Sequence, residues 1–337
     1  MIKRALLVGS GSIGRRHLQV IRETLPQVLV TLMRQPNPPE LEASVATQFD
    51  RVVSDLAAAI NPKPDFAVIA SPAPTHVGFA RRLVEAGIPM LLEKPVSDRL
   101  DGCAELAALC RSKRLPVLVG YTLRYHPGFQ TLAERVAAGA IGRPLSVRAE
   151  VGQYLPDWRP GMDYRHTVSA QRALGGGALL ELSHEIDLVR ALFGMPVSVV
   201  ASLDRLGDLE IDVEDTVEMV LHHNRGGERM VASIHLDLLQ RPARRNFTVV
   251  GTEATLELDF IAGQLTLHHR DGDSLIPFPA VAHRNQLYSA ELTDLLAAMQ
   301  SGHPPRVGLE DGIETLQIIE AARQSASAGQ PVALDAA

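Results

Sequence analysis

Cysteine is nearly absent from this chain, with two among 337 residues, Cys103 and Cys110. That scarcity excludes a disulfide-stapled scaffold, and a spacing of seven matches no metal-binding pattern. The pair instead fits one side of a helix, as small buried thiols in a reducing cytosol. Long apolar runs are also missing: nothing approaches the roughly 18 to 20 residues that a membrane-spanning helix needs. The opening MIKRALLVGSGSIGRR holds only about five apolar residues before glycines and arginines interrupt it, too few for a secretory leader. A cytoplasmic protein is expected. Charge is not concentrated either, because a net charge of −6 without long runs leaves no nucleic-acid footprint. The expected partner is a small molecule.

What is present is a globular composition, 46% hydrophobic and 21% charged, at a length that suits two domains of ~150 residues each. Over residues 1–121, short apolar runs (RALLV, VLVTLM, DFAVIA, IPMLL, LPVLVG) alternate with amphipathic stretches. Unbroken apolar strands joined by helices predict an α/β Rossmann domain with a doubly wound parallel sheet. Over residues 122–337, a helix near Pro127 to Ala138 is followed by PLSVRAEVGQYL, VSVVASLD, DTVEMVLHH, RMVASIHLDLL, RNFTVVG, ATLELDF and QLTLHH. These predict an α+β domain with a large, mostly antiparallel, open-faced sheet. Helices over about 284–300 and 309–327 close the chain.

Gly9, Gly11 and Gly14 have G-x-G-x-x-G spacing between a strand and a helix, with Ser10, Ser12 and Ile13 between and beside them. Glycines there let the backbone turn sharply and approach a pyrophosphate whose charge rests on the helix N-terminus. NAD or NADP is therefore expected, through Gly9, Ser10, Gly11, Ser12, Ile13 and Gly14. About 20 residues on, where an acidic side chain would take the ribose 2′-hydroxyl of NAD, the strand ends in Arg34. An arginine can pair with a 2′-phosphate or stack on adenine, which tilts the expectation slightly towards NADP.

Ser71, Pro72 and His76 follow the strand DFAVIA, and Glu93 and Lys94 follow IPMLL. Ligands of an open parallel sheet bind outside the carboxyl ends of its strands, so both loops are candidates to border the cofactor. Later, Gly175, Gly176 and Gly177 lead into LLELSHEIDL, with Glu181, His184 and Asp187 at intervals of three. On one helix these would share a face, where a carboxylate can orient an imidazole that accepts a hydroxyl proton. The H-E-x-x-D string lacks a second histidine at the fourth position, where Leu188 stands, so no metal site is expected.

Taken in order, G-x-G-x-x-G, S-P-x-P-T-H, E-K-P and a glycine-led helix with histidine resemble the Gfo/Idh/MocA family of oxidoreductases, named for glucose-fructose oxidoreductase and inositol 2-dehydrogenase. The resemblance extends to the closing VGLEDGIETLQIIEAARQSASAGQPVAL. It implies that Lys94 lies beside the nicotinamide and the reacting carbon, with Glu93 near the nicotinamide ribose. It also implies that His184 is the catalytic histidine. The family pattern has an aspartate four residues before that histidine, whereas this chain has Glu181 three before it. YTLRYHPGF is similar to the family's crossover segment, which directs Arg124 and Tyr125 towards substrate. The loop with Tyr154, the single Trp158 and Arg165 suits a substrate wall or a subunit contact, since a ring can stack on a sugar face. Asp187 completes the substrate-side set.

The resemblance thus implies hydride transfer between nicotinamide and a secondary hydroxyl of a sugar, cyclitol or sugar derivative. W-R-P, D-Y-R and S-H-E-I-D look most like members tied to polysaccharide or nonulosonic-acid biosynthesis. The rival from another class is a non-catalytic dinucleotide sensor on the same fold. A broad, half-apolar sheet face also predicts a homodimer or homotetramer.

Overall fold

A computed structural model of the chain describes residues 2–34 and 43–334. They form two compact units, Met1–Thr122 with His283–Ile313, and Leu123–Ala282 with Glu314–Ala337. The segment 283–313, which the sequence reading kept with the second domain, therefore belongs with the first.

The first unit runs β1 (Arg4–Val8), α1 (Ser12–Thr24), β2 (Leu29–Met33), α2 (Ala43–Ala46), β3 (Arg51–Val53), α3 (Leu56–Ala59), β4 (Phe66–Ile69), α4 (His76–Glu85), β5 (Met90–Leu92), α5 (Cys103–Lys113) and β6 (Val117–Val119). Its six strands lie in the order β3-β2-β1-β4-β5-β6, and every pair is parallel. Parallel strands covered on both faces must be apolar throughout, and all four residues of β4 are buried. Each large side chain so buried contributes about 1.5 to 3 kcal/mol. Strand order reverses between β1 and β4, which puts a topological switch point at their carboxyl ends. Cys103 and Cys110 are buried on α5, and burial pushes both thiols up to about 11, which leaves them unreactive.

The second unit begins with α6 (Pro127–Ala137) and β7 (Pro144–Gly152), then α7 (Ala178–Glu181) and α8 (His184–Phe193). It continues through β8 (Ser198–Asp204), β9 (Thr216–Arg225), β10 (Glu228–Asp237), β11 (Arg244–Gly251), β12 (Ala254–Asp259), β13 (Gln264–His269) and β14 (Gly272–Leu275). The chain then gives α9 (Asn285–Ser301) to the first unit. Its last elements are α10 (Leu309–Ala328) and β15 (Val332–Ala333).

The nine strands of the second sheet lie in the order β14-β13-β12-β11-β7-β10-β9-β8-β15. Only the central pair β7 and β10 is parallel. Alternation decides the faces: Ala232, Ile234 and Leu236 of β10 are buried, while Ser233 between them is exposed. The apolar face packs against α6, α7 and α8. The opposite face carries a cross-strand row of Glu218, His235, Glu150, Asn246 and Asp259.

No helix among the described residues is long and apolar enough to cross a membrane.

Candidate active site

The first unit assembles three loops along the carboxyl edge of its sheet. Gly9 follows β1 with φ of +100°, and a Cβ there would stand 2.6 Å from the Ala70 carbonyl oxygen. A Cβ on Gly14 would stand 2.2 Å from the Gly9 carbonyl oxygen, so both positions require glycine. At Gly11, the residue that caps α1, a Cβ would meet nothing within 4 Å. With no acidic residue in the first turn of α1, the exposed backbone amides and the positive helix end suit a pyrophosphate. The residues present fit a dinucleotide.

Arg34 stands at the end of β2, its backbone amide donating to the Val53 carbonyl at 2.9 Å. In the second loop, the Ser71 and Thr75 hydroxyls are 2.7 Å apart, and Pro72 precedes the turn Ala73–Thr75. His76, expected at the cofactor, is buried. Its Nδ1 lies 2.9 Å from the Pro95 carbonyl and its Nε2 lies 2.7 Å from the Ser71 carbonyl. Burial holds its pKa below the usual range. His76 thus joins the Ser71 loop to the E-K-P loop rather than facing solvent.

Within residues 90–97, Lys94 is the one side chain not buried. Glu93 beside it is 8% exposed and turned inward, with Oε1 2.6 Å from Nε2 of the buried His17. Its other oxygen accepts the Lys94 amide at 3.2 Å. Pairing with His17 satisfies a carboxylate that burial would otherwise penalise. His17 was not singled out from the sequence. Its signal was helical spacing, because Gly14, His17, Leu18 and Ile21 form the buried face of α1.

In the second unit, the glycine-led helix is two helices. Leu182, with φ of −102° and ψ of 22°, ends α7, and α8 starts again at His184. The interval of three between Glu181 and His184 therefore does not by itself define a shared face. The Glu181 carboxylate accepts the Ser169 hydroxyl at 2.8 Å. His184 and Asp187 both lie on α8, where that interval does apply. Asp187, expected at the substrate, is fully buried among Arg124, Arg190 and Thr315, each 3.4 Å from Oδ1. Tyr125 is buried as well.

Next to His184, the buried Glu185 takes both arms of Arg245, at 2.8 and 3.2 Å. Two arginines near Arg245 in sequence are also paired: Arg244 with Glu150, and Arg241 with Asp157. The Arg241 guanidinium covers the Tyr154 ring, 3.1 Å from its centroid. Trp158 donates its indole N–H to the Gln153 carbonyl at 3.0 Å. Arg165, expected in the substrate wall, is held by Asp163 at 2.8 Å and Glu210 at 3.0 Å.

Comparison with known proteins adds the following. A family model described as "Oxidoreductase family, NAD-binding Rossmann fold" matches residues 3–121. A second, described as "GFO/IDH/MocA C-terminal domain", matches residues 129–257. D-apiose dehydrogenase of Paraburkholderia graminis is 26% identical, over 98% of this chain and 89% of that protein. Inositol 2-dehydrogenase 2 of Paenarthrobacter aurescens is 25% identical, over 96% and 95%. A solved structure of levoglucosan dehydrogenase in complex with NADH and levoglucosan superposes with a TM-score of 0.86 at 22% identity, covering 99% of each chain.

Proposed function

Because the chain belongs to the Gfo/Idh/MocA family of oxidoreductases, we propose that it moves a hydride between a nicotinamide dinucleotide and a secondary hydroxyl or carbonyl of a sugar, cyclitol or related compound. The observation that carries this reading is Lys94, brought to the surface at the end of β5 by a run of otherwise buried residues and backed by the Glu93–His17 pair. Relatives named for apiose, inositol and levoglucosan support the substrate class.

Gly9 to Gly14 hold the pyrophosphate, and Ser71, Pro72 and Glu93–Lys94 border the nicotinamide half. The bound dinucleotide supplies the ring that exchanges hydride. The protein's own part is charge and proton handling. Lys94 stabilises the oxyanion that develops on the substrate oxygen. His184 accepts the hydroxyl proton during oxidation and returns it during reduction. Glu181 and Asp187 support His184 indirectly, while Arg124, Tyr154 and Trp158 shape substrate binding. Arg34 favours NADP modestly. The open face of the second sheet joins copies of the chain into a homodimer or homotetramer.

The test is a screen of sugars and cyclitols that follows the absorbance of reduced cofactor, run on wild type and Lys94→Ala. Lys94→Ala should cut turnover a hundredfold or more and leave NADH affinity within about threefold of wild type. Near-normal turnover would remove Lys94 from the chemistry. Tight cofactor binding with no turnover on any compound would favour a dinucleotide sensor.

A further inference from the structure

Helix α9 contains a glutamate that the reaction above does not use. Glu291 is 0% exposed, and neither of its carboxyl oxygens has a hydrogen-bond partner. It lies one turn beyond Tyr288, on the same helical face. The Tyr288 ring meets His17 edge to face at 5.4 Å, and Arg16 lies over that ring at 5.3 Å. His17 in turn holds Glu93. The charged and titratable groups that act on Glu291 are Glu93 at the end of β5 and Asp294 and Tyr288 on α9, and Tyr288 in turn feels Arg284 and Arg16.

An ionised carboxylate with no donor in a dry site is among the costliest arrangements a fold can hold. Burial first, then the Glu93 and Asp294 carboxylates, push the proton affinity of Glu291 well above the usual range. Glu93, by contrast, has His17 and the Lys94 amide to hold its charge.

We propose that Glu291 is kept as a neutral carboxylic acid, so that Glu93 is the one ionised member of a buried carboxyl pair behind Lys94, which makes Glu291 a positioning residue for the E-K-P loop. A second charge at Glu291 would repel the Glu93 carboxylate, weaken its bond to His17 and release the loop that presents Lys94. The role rests on the reading of that loop as the cofactor side of the site.

The experiment uses Glu291→Gln, which copies the neutral acid, with Glu291→Met as the alternative should the amide not be accommodated. The infrared carbonyl band of a protonated carboxylic acid should be present in wild type at pH 7 and missing from the variant. The sign of the stability effect follows from a folded-state pKa raised above ~4.5. Any advantage of the protonated fold is complete below that pH and is lost as pH rises towards the folded value. The melting temperature of Glu291→Gln should therefore gain on wild type as pH rises above about 5. The folded-to-unfolded ratio should diverge about tenfold per unit.

Titration with NADH should show wild-type affinity falling several-fold at alkaline pH, with a flat profile in the variant. Absence of the acid band together with a pH-independent melting difference would overturn the proposal. An acid band with identical NADH profiles in both proteins would leave Glu291 neutral but overturn its positioning role. The band is read without turnover, so failure of Lys94→Ala to lower activity would count against the loop's catalytic reading and not against the charge state of Glu291.

Discussion

At the scale of single residues, Arg34 makes the sharpest cofactor prediction. An acidic side chain at the end of the second strand would accept the ribose 2′-hydroxyl and repel a 2′-phosphate, whereas a guanidinium does the opposite. Arg34→Asp should shift the ratio of NADH to NADPH affinity by tenfold or more towards NADH in isothermal titration. An unchanged ratio would take Arg34 out of cofactor selection. The glycines of the first loop were legible because their constraint is local: turn, close approach and helix start all lie within six residues. Lys94 was legible for a related reason, since the end of a parallel strand is a defined place in the fold. His17 and Glu291 were not legible, because their meaning comes from partners 76 residues away in one case and at the end of β5 in the other. The burial of His76 and Asp187 was not legible for the same reason. Both are polar residues whose partners, carbonyls and arginines brought in by folding, allow them to be buried.

At the scale of elements, the start of α8 is held by an ion pair rather than by the helix before it. Arg245 on β11 grips the fully buried Glu185 with two hydrogen bonds. Removing one partner of such a pair strands the other charge. Arg245→Ala should cost about 3 kcal/mol in denaturant unfolding, and adding Glu185→Gln should recover much of it. A second readout is His126, which burial first and Arg245 second hold down to about 4. Its pKa, followed by NMR, should rise in Arg245→Ala. A loss below ~0.5 kcal/mol with an unmoved His126 would show that the pair does not anchor the helix. Periodicity identified β7 to β13, where alternation survives, but not β14, which is exposed throughout, or the two-residue β15. It could not identify the break at Leu182, since Ala-Leu-Leu-Glu-Leu is a good helical string and the interruption arises from packing.

At the scale of the whole molecule, the open sheet face combines charge with half-apolar rows. On it, His235 lies between Asp237 at 2.9 Å and Glu218 at 2.6 Å, and their hydrogen bonds, Asp237 foremost, raise it to about 9. A raised histidine stabilises fully below its ordinary value near 6.5, and that contribution is lost as pH rises through about 9. His235→Gln should therefore melt below wild type at neutral pH and converge with it near pH 10; a constant gap would exclude a charged His235. Fold class was readable from the order of strand textures along the chain. The membership of 283–313 was not, because nothing local marks a helix that packs with residues nearly three hundred positions earlier. That return has a consequence for biosynthesis. The dinucleotide-binding half precedes most of the second unit along the chain, yet it lacks α9 until residues 123–282 have been made. Its last piece arrives after most of the second unit, so the nascent chain carries an unfinished nucleotide fold while that unit is made. No single cut in the chain can yield that half intact.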